Sequence, residues 1–187
     1  MSAVFTPSRY KLSIEDYHKL GAAGILGEDS RVELIEGDLI EMAPIGITHM
    51  RCVNRLNRLL MQAVGDAAIV SVQNPVTLPP RSEPQPDVAL LKPAADQADH
   101  VPHPADVLLI VEVADTTLNY DRRTKLPLYA RAGIVEVWIV DVQGQTIETF
   151  SAPTDTGYAR TAVHRRADTV TPIQVPAASI RLDDLFA

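Results

Sequence analysis

The sequence is short of three features that would place it in a protein class at once. Cys52 is the only cysteine among 187 residues, so an internal disulfide and a thiolate metal cluster are both excluded. The longest apolar runs fall far short of the roughly 20 residues that cross a bilayer. The start, residues 1–11, carries no apolar segment of the kind found in secretory signal peptides. We therefore expect a cytoplasmic protein that does not associate with membranes.

The sequence also lacks an excess of basic residues. With 17 Lys and Arg against 24 Asp and Glu, the net charge is −7. Nucleic-acid binding through bulk electrostatics usually needs a basic face, so any such binding here would depend on a local group of basic side chains. No internal repeat or low-complexity segment divides the chain, and its length suits one domain, residues 1–187, around one core.

A strand, a helix and a second strand follow one another in the middle of the chain. Val107–Val113 is an apolar run rich in β-branched residues, interrupted only by Glu112, which is typical of a strand covered on both faces. A helix-like segment follows, with Gly133 just past its end, where a C-cap glycine belongs. Val135–Val142 is the second apolar run. This βαβ unit implies two parallel strands joined by a right-handed crossover.

The remaining segments predict a small helix, a hairpin, a long helix and several short strands. Ser13 as N-cap, with Asp16 at the capping-box position, predicts the first helix. Arg31–Met42 alternates as a β-hairpin does, with its turn at 36–38. Thr48 is the expected N-cap of an amphipathic helix that runs to residue 64. Short strands are expected at 67–72, 76–78, 88–91, 145–150, 158–163 and 168–172, and a closing helical turn at 180–186.

The long helix presents two faces with different chemistry. His49 falls on the apolar face in the first turn, where it is either a core histidine with one hydrogen bond or an active-site residue. Arg51, Arg55 and Arg58 form a second stripe at 3–4 spacing. This stripe is either a solvated face or a ridge that contacts phosphates.

Two carboxylates are expected to meet at one edge of the sheet. Asp87 begins one strand and Glu112 ends the next, and antiparallel neighbours bring the start of one strand beside the end of the other. Like charges there raise each other's pKa unless a cation lies between them. An all-oxygen pair suits Mg²⁺ or Mn²⁺, and the carbonyl of Val113 could supply another oxygen. Alternatively, Glu112 reaches solvent or a structural arginine at the strand's exit.

Lys125 is the third candidate at this edge. Pro127 tolerates only the first turn of a helix or a kink, so regular helix is expected to start near Thr124, beside the exit of the Glu112 strand. There Lys125 could orient an attacking water or neutralise charge on a phosphate. The alternative is a structural pair between Lys125 and Asp121, four residues earlier.

The polar connection at 92–106 is long enough to form a mobile flap. It contains His100 and His103, for which a metal site is a weak alternative to an ordinary Pro-rich surface loop.

In order and spacing, these motifs resemble the "Uma-two" restriction endonuclease family of the PD-(D/E)XK nuclease superfamily. The matching stretches cover roughly residues 10–187. They are VELIEGDLIEMAP (32–44), the histidine that opens a helix, EPQPDVALL (83–91), LIVEVADTTLNYDRRTKLPLYARAGIVEVWIVD (109–141) and the closing LDDLF.

The resemblance implies an α/β (α+β) fold with a restriction endonuclease-like mixed central sheet flanked by helices, after an N-terminal β-hairpin. It implies a divalent-metal site at Asp87 and Glu112, with Lys125 as the catalytic lysine. The usual strand position of that lysine is Ala114 here, so the function would have moved to the helix. Glu33 matches the family's first acidic position, and two further residues match positions near the site without an assigned role: Gln85 and Tyr129.

The leading hypothesis is therefore a Mg²⁺- or Mn²⁺-dependent endonuclease that acts on DNA. One alternative is a non-catalytic binding or assembly module with the same fold, and another is a nuclease for RNA or special DNA structures. Cutting both strands needs two active sites, and cyclic dimers are the commonest assemblies, so we expect a homodimer. The geometric test is whether the three candidate residues converge, and whether the arginine stripe lies on the same side.

Overall fold

The computed structural model describes residues 8–27 and 29–187, so most of the lead-in at 1–11 lies outside the described residues. The helices are α1 (Ile14–Ala22), α2 (Ile47–Val64), α3 (Leu118–Tyr120), α4 (Leu126–Arg131) and α5 (Leu182–Leu185). The strands are β1 (Val32–Ile35), β2 (Asp38–Glu41), β3 (Ile69–Val72), β4 (Val88–Leu91), β5 (Val107–Ala114), β6 (Glu136–Asp141), β7 (Thr146–Thr154), β8 (Gly157–His164), β9 (Thr169–Val170) and β10 (Ile180–Arg181).

Six strands form the central sheet in the order β3-β4-β5-β6-β7-β8. Only β5 and β6 pair in parallel, which is the predicted βαβ unit, and the other neighbours are antiparallel. The expected mixed sheet flanked by helices is confirmed. In the β4–β5 pair, Val88 lies opposite Val111. The next positions toward that edge are Asp87 and Glu112, so the register brings the two carboxylates together.

Helices cover the sheet on both faces. The apolar stripe of α2, at Val53, Leu56 and Leu60, packs in one buried cluster with strand residues and with α5. On the other face, α4 and the hairpin pack in a second cluster that contains Leu128, Tyr129, Ile110, Val137 and Ile35. Strand β5 is buried along its whole length because both layers cover it.

The predicted N-terminal hairpin is confirmed, with a turn of two residues, Glu36 and Gly37, rather than three. Both residues have positive φ, 49° and 82°, as a type I′ turn requires. A Cβ at Gly37 would lie 2.8 Å from the Cβ of Lys11, so glycine also permits the close approach of the preceding segment. The capping box of Ser13 and Asp16 at the start of α1 is present as predicted.

Three sequence predictions were wrong. Helix α2 begins at Ile47 after Gly46, without a side-chain cap, so Thr48 already lies in the first turn. Residues 76–78 are not a strand, because their N–H groups donate to carbonyls of loop prolines and to an isolated bridge instead of a ladder. Helical structure before Pro127 begins at Leu118 rather than near Thr124, and it includes a π-helical turn, Asp121–Lys125.

The connection at 92–106 contains two short 3₁₀ turns, Pro93–Gln97 and Pro104–Asp106. The rings of His100 and His103 lie 4.7 Å apart within it. In the described ranges, no helix is both long and apolar enough to cross a membrane.

Candidate active site

The predicted catalytic side chains converge on one cavity of about 340 Å³ at the edge of the sheet. Asp87, Glu112, Lys125 and Glu33 all line it. Lys125 Nζ lies 2.9 Å from Glu33 Oε1 and 3.3 Å from Glu112 Oε1. The hairpin, the strand β5 and the helical segment after it each supply part of this network, so the site exists only in the folded chain.

Asp87 is held from two sides. Its Oδ2 accepts a hydrogen bond from the backbone N–H of Val113 at 2.8 Å, and its Oδ1 lies 3.0 Å from His49 Nε2. The hydrogen bond to Asp87 raises the pKa of His49, although burial opposes that shift. Thus His49 lines the active-site cavity and orients a carboxylate. The backbone N–H of Val113 is thus engaged by Asp87. Metal ligation by the Val113 carbonyl stays a prediction.

Glu33 and Glu112 are each oriented by one further donor. The backbone N–H of Gln85 donates to Glu33 Oε1 at 2.7 Å, and the Tyr129 hydroxyl donates to Glu112 Oε1 at 2.5 Å. These contacts give Gln85 and Tyr129 definite positions in the site. Each carboxylate keeps a second oxygen that can face the cavity.

Charge in the site is strongly unbalanced. Glu33, Glu112, Asp121 and Lys125 are 2%, 3%, 4% and 6% exposed, and three further carboxylates line the cavity: Glu41, Asp87 and Asp115. Burial raises the pKa of Glu112 to about 8, the charge of Lys125 opposes the shift, and the neighbouring carboxylates reinforce it. Burial likewise raises the pKa of Asp121 to about 6. Such a cluster stabilises an added cation.

Lys125 remains protonated in this environment. Burial alone would lower the pKa of its ammonium group, but the charges of Glu112 and Glu33 raise it by more, so the net shift is upward. The lysine therefore acts as a fixed cation and a hydrogen-bond donor rather than as a base.

The alternative prediction, an ion pair between Asp121 and Lys125, was wrong. Both ion pairs of Lys125 among the described residues go to Glu33 and Glu112, and Asp121 instead accepts a hydrogen bond from Thr117 Oγ1 at 2.7 Å. Lys125 is engaged by the hairpin and by β5, while Asp121 is satisfied within its own segment.

The donor set fits a hard divalent cation. Across residues 8–27 and 29–187, no group of three or more His, Cys, Asp and Glu side chains is arranged as a metal site. Mg²⁺, however, usually keeps several waters and takes only one or two carboxylates. Asp87 and Glu112 are two carboxylates of this kind at one sheet edge, in a cavity with an excess of negative charge.

The arginine stripe of α2 does not line this cavity. Arg51 and Arg58 are exposed, and Arg55 donates to the carbonyl of Leu185 at 2.8 Å, which ties α2 to α5. Arg31, from the hairpin, is the arginine in the cavity wall. Phosphate contacts by Arg51, Arg55 and Arg58 stay a prediction.

Sequence reasoning missed one residue of the cavity wall with a distinctive environment, Tyr120. Its hydroxyl oxygen and His49 Nδ1 are both buried without a hydrogen-bond partner in the described part of the chain. The expected helix start near Thr124 left Tyr120 in a loop, although its place five residues before Lys125 could have marked it.

Comparisons with known proteins identify the fold and the family of this chain. A crystal structure of "a putative nuclease belonging to DUF820" from Anabaena variabilis has a TM-score of 0.75 at 15% identity. The match covers 94% of this chain and 97% of that chain, and it establishes the shared fold. No curated protein sequence matches significantly. The Uma2 family, described as "Putative restriction endonuclease", matches residues 14–183, so the chain belongs to this family of nucleases and the resemblance seen in its sequence is confirmed.

Proposed function

We propose that the protein is a Mg²⁺- or Mn²⁺-dependent endonuclease that hydrolyses phosphodiester bonds in DNA. The observation that carries the proposal is the contact of Lys125 with two buried carboxylates, Glu33 and Glu112, in the cavity that Asp87 also lines. Family membership supports the reaction class. Metal and substrate are inferred from the chemistry of the site.

Asp87 and Glu112 would hold the metal, which when bound supplies a water of lowered pKa and an electrophile for the phosphate. The remaining contacts keep these two carboxylates in place. Val113 and His49 hold the Asp87 carboxylate, and Tyr129 holds that of Glu112. Such prior orientation reduces the reorganisation needed during the reaction.

Lys125 orients the attacking water and stabilises the negative charge that develops on the phosphate. Its raised pKa keeps the ammonium group protonated at neutral pH, which suits both tasks. Glu33 fixes the position of the ammonium group at 2.9 Å. In this role Glu33 is a positioning residue, because it acts through Lys125.

We also propose that the active form is a homodimer, since cleavage of both strands of a duplex needs two active sites. Sedimentation equilibrium tests the dimer directly. A monomer that only nicks one strand would remove this part of the proposal and leave the chemistry unchanged.

The function is tested by incubating the protein with supercoiled plasmid, single-stranded DNA and RNA, each with Mg²⁺, Mn²⁺ or EDTA. We expect metal-dependent cleavage of DNA that is lost in Asp87→Asn and in Lys125→Met. The matched control is Glu136→Gln, which alters a buried carboxylate held by Trp138 and Ile173 at the other end of the sheet. That variant should still cleave.

The other outcomes separate the alternatives. Cleavage of RNA but not of DNA would identify RNA as the substrate. Nucleic-acid binding without cleavage by any preparation would favour the non-catalytic module.

A further inference from the structure

We infer that Tyr120 is a further catalytic residue, whose hydroxyl donates a hydrogen bond to the phosphate undergoing hydrolysis. This inference rests on the proposed function and adds a substrate contact to it. Tyr120 lies in α3, where the chain leaves β5 and turns toward Lys125.

The first observation is a buried hydroxyl without a partner. The Tyr120 oxygen is inaccessible to solvent, and no donor or acceptor in the described ranges forms a hydrogen bond with it. Buried tyrosine hydroxyls ordinarily find a partner, and three other tyrosines of the described chain show the contrast. Tyr17 donates to the Val32 carbonyl, Tyr129 to Glu112 and Tyr158 to the Ile134 carbonyl.

The second observation is the place of Tyr120 in the wall of the cavity. Tyr120 lines the same cavity as Glu112 and Lys125. The charges of Glu33, Lys125, Asp121 and Glu112 all influence the pKa of its hydroxyl, which agrees with this position. This unused donor therefore belongs to the wall of the cavity that a substrate phosphate would enter.

The third consideration is electrostatic. Six carboxylate residues line the cavity, so a phosphate entering it needs donors as well as the metal. Lys125 is already engaged by two of those carboxylates. A neutral hydroxyl on the wall can donate to a phosphate oxygen without adding negative charge, and donors aimed at developing charge are the largest single contribution in many enzymes.

The test compares Tyr120→Phe with a matched control, Tyr158→Phe. Both variants remove one hydroxyl from a partly buried tyrosine, but only the Tyr158 hydroxyl has a partner, and it lies away from the cavity. We expect Tyr120→Phe to reduce kcat for DNA cleavage about ten- to a hundred-fold, with thermal stability equal or higher. Tyr158→Phe should show the reverse, with lower stability and normal kcat.

A second readout is independent of turnover. Line broadening of the ³¹P signal of inorganic phosphate, with Mg²⁺ present, reports on phosphate binding to the wild type and to Tyr120→Phe. We expect the variant to broaden the signal less at equal protein concentration. Mg²⁺ binding measured by calorimetry should be the same in both proteins.

The outcomes separate this inference from the proposed function. Unchanged kcat in Tyr120→Phe, or a loss of stability that matches Tyr158→Phe, overturns the role of Tyr120 while the nuclease stands. If the wild type cleaves none of the substrates, the proposed function fails. The role of Tyr120 is then decided by the ³¹P signal of inorganic phosphate alone. A difference between the two proteins then supports Tyr120 as a phosphate donor, and equal broadening overturns it.

Discussion

Lys125 Nζ lies 2.9 Å from the carboxylate of Glu33, a residue 92 positions earlier in the chain. The same ammonium group lies 3.3 Å from Glu112, so one lysine joins the N-terminal hairpin to the central strand of the sheet. All three side chains are buried. Because buried charges are costly unless they are paired, this contact is both a structural link and the centre of the proposed active site.

The first prediction concerns removal of the lysine. Lys125→Met leaves Glu33 and Glu112 without their cation, and breaking a buried pair in this way lowers the free energy of unfolding by about 3–5 kcal/mol. Urea unfolding followed by the fluorescence of Trp138, the only tryptophan, measures the change. DNA cleavage should fall by at least about a hundred-fold even at temperatures where the variant is folded. Full activity in Lys125→Met would contradict the assigned role.

The second prediction concerns pH and stability without metal. The pKa of Glu112 is about 8 in the folded protein and 4.5 in the unfolded reference. The unfolded chain therefore releases this proton first, and the contribution of Glu112 is fully present below pH 4.5 and is lost as pH rises toward 8. In EDTA, the free energy of unfolding should fall over this range by an amount on the order of a few kcal/mol.

Glu112→Gln is the control for that pH profile. It should flatten the decline above about pH 7, where Asp121, whose pKa is raised to about 6, has largely completed its own titration. A variant whose profile parallels that of the wild type would show that Glu112 is ionised in the folded protein without metal.

The third prediction concerns Tyr129, whose hydroxyl holds the carboxylate of Glu112 at 2.5 Å. Tyr129→Phe leaves a buried acceptor with one donor fewer, so the free energy of unfolding should fall by about 1–3 kcal/mol. The lost hydrogen bond also orients a proposed metal ligand, so the affinity for Mn²⁺ should fall about ten-fold or more. Calorimetry on both proteins checks this, and equal affinities would show that Tyr129 has a structural role only.

The fourth prediction separates the three arginines of α2. Arg51 and Arg58 are exposed, so replacing both with alanine should leave stability within about 0.5 kcal/mol. If they contact DNA phosphates, binding should weaken and its dependence on salt should become shallower.

Arg55→Ala should instead reduce stability, because its guanidinium group donates to the carbonyl of Leu185. If DNA binding by the wild type and by the Arg51/Arg58 double variant depends equally on salt, these two arginines do not contact phosphates. Arg31, in the cavity wall, then remains as the candidate phosphate contact.

Much of the site follows from the sequence because strands have a simple period and register. The apolar run around Glu112 identifies a central strand, and antiparallel pairing with the preceding strand brings Asp87 beside it. The place of Lys125 was also predictable, although the reason was partly wrong, since helical structure starts at Leu118 and includes a π-helical turn. Tertiary packing, rather than local sequence, decides such a turn.

Other features of the site depend on side-chain directions that a sequence does not contain. Glu33 and Glu41 lie on adjacent strands of one hairpin, yet Glu33 is 2% exposed and contacts Lys125. The backbone N–H groups of Gln85 and Val113 donate to Glu33 and Asp87, and these hydrogen bonds depend on loop and sheet geometry. The missing partner of the Tyr120 hydroxyl becomes apparent only when all neighbours are placed.

The central claim is that Asp87 and Glu112 bind a divalent metal that hydrolysis requires. The most direct measurement is Mn²⁺ binding by calorimetry to the wild type and to Asp87→Asn, with plasmid cleavage assayed on the same samples. We predict one or two bound ions in the wild type, at least about a ten-fold loss of affinity in the variant, and metal-dependent cleavage by the wild type alone. Equal Mn²⁺ binding by both proteins, or cleavage that persists in EDTA, would contradict the account.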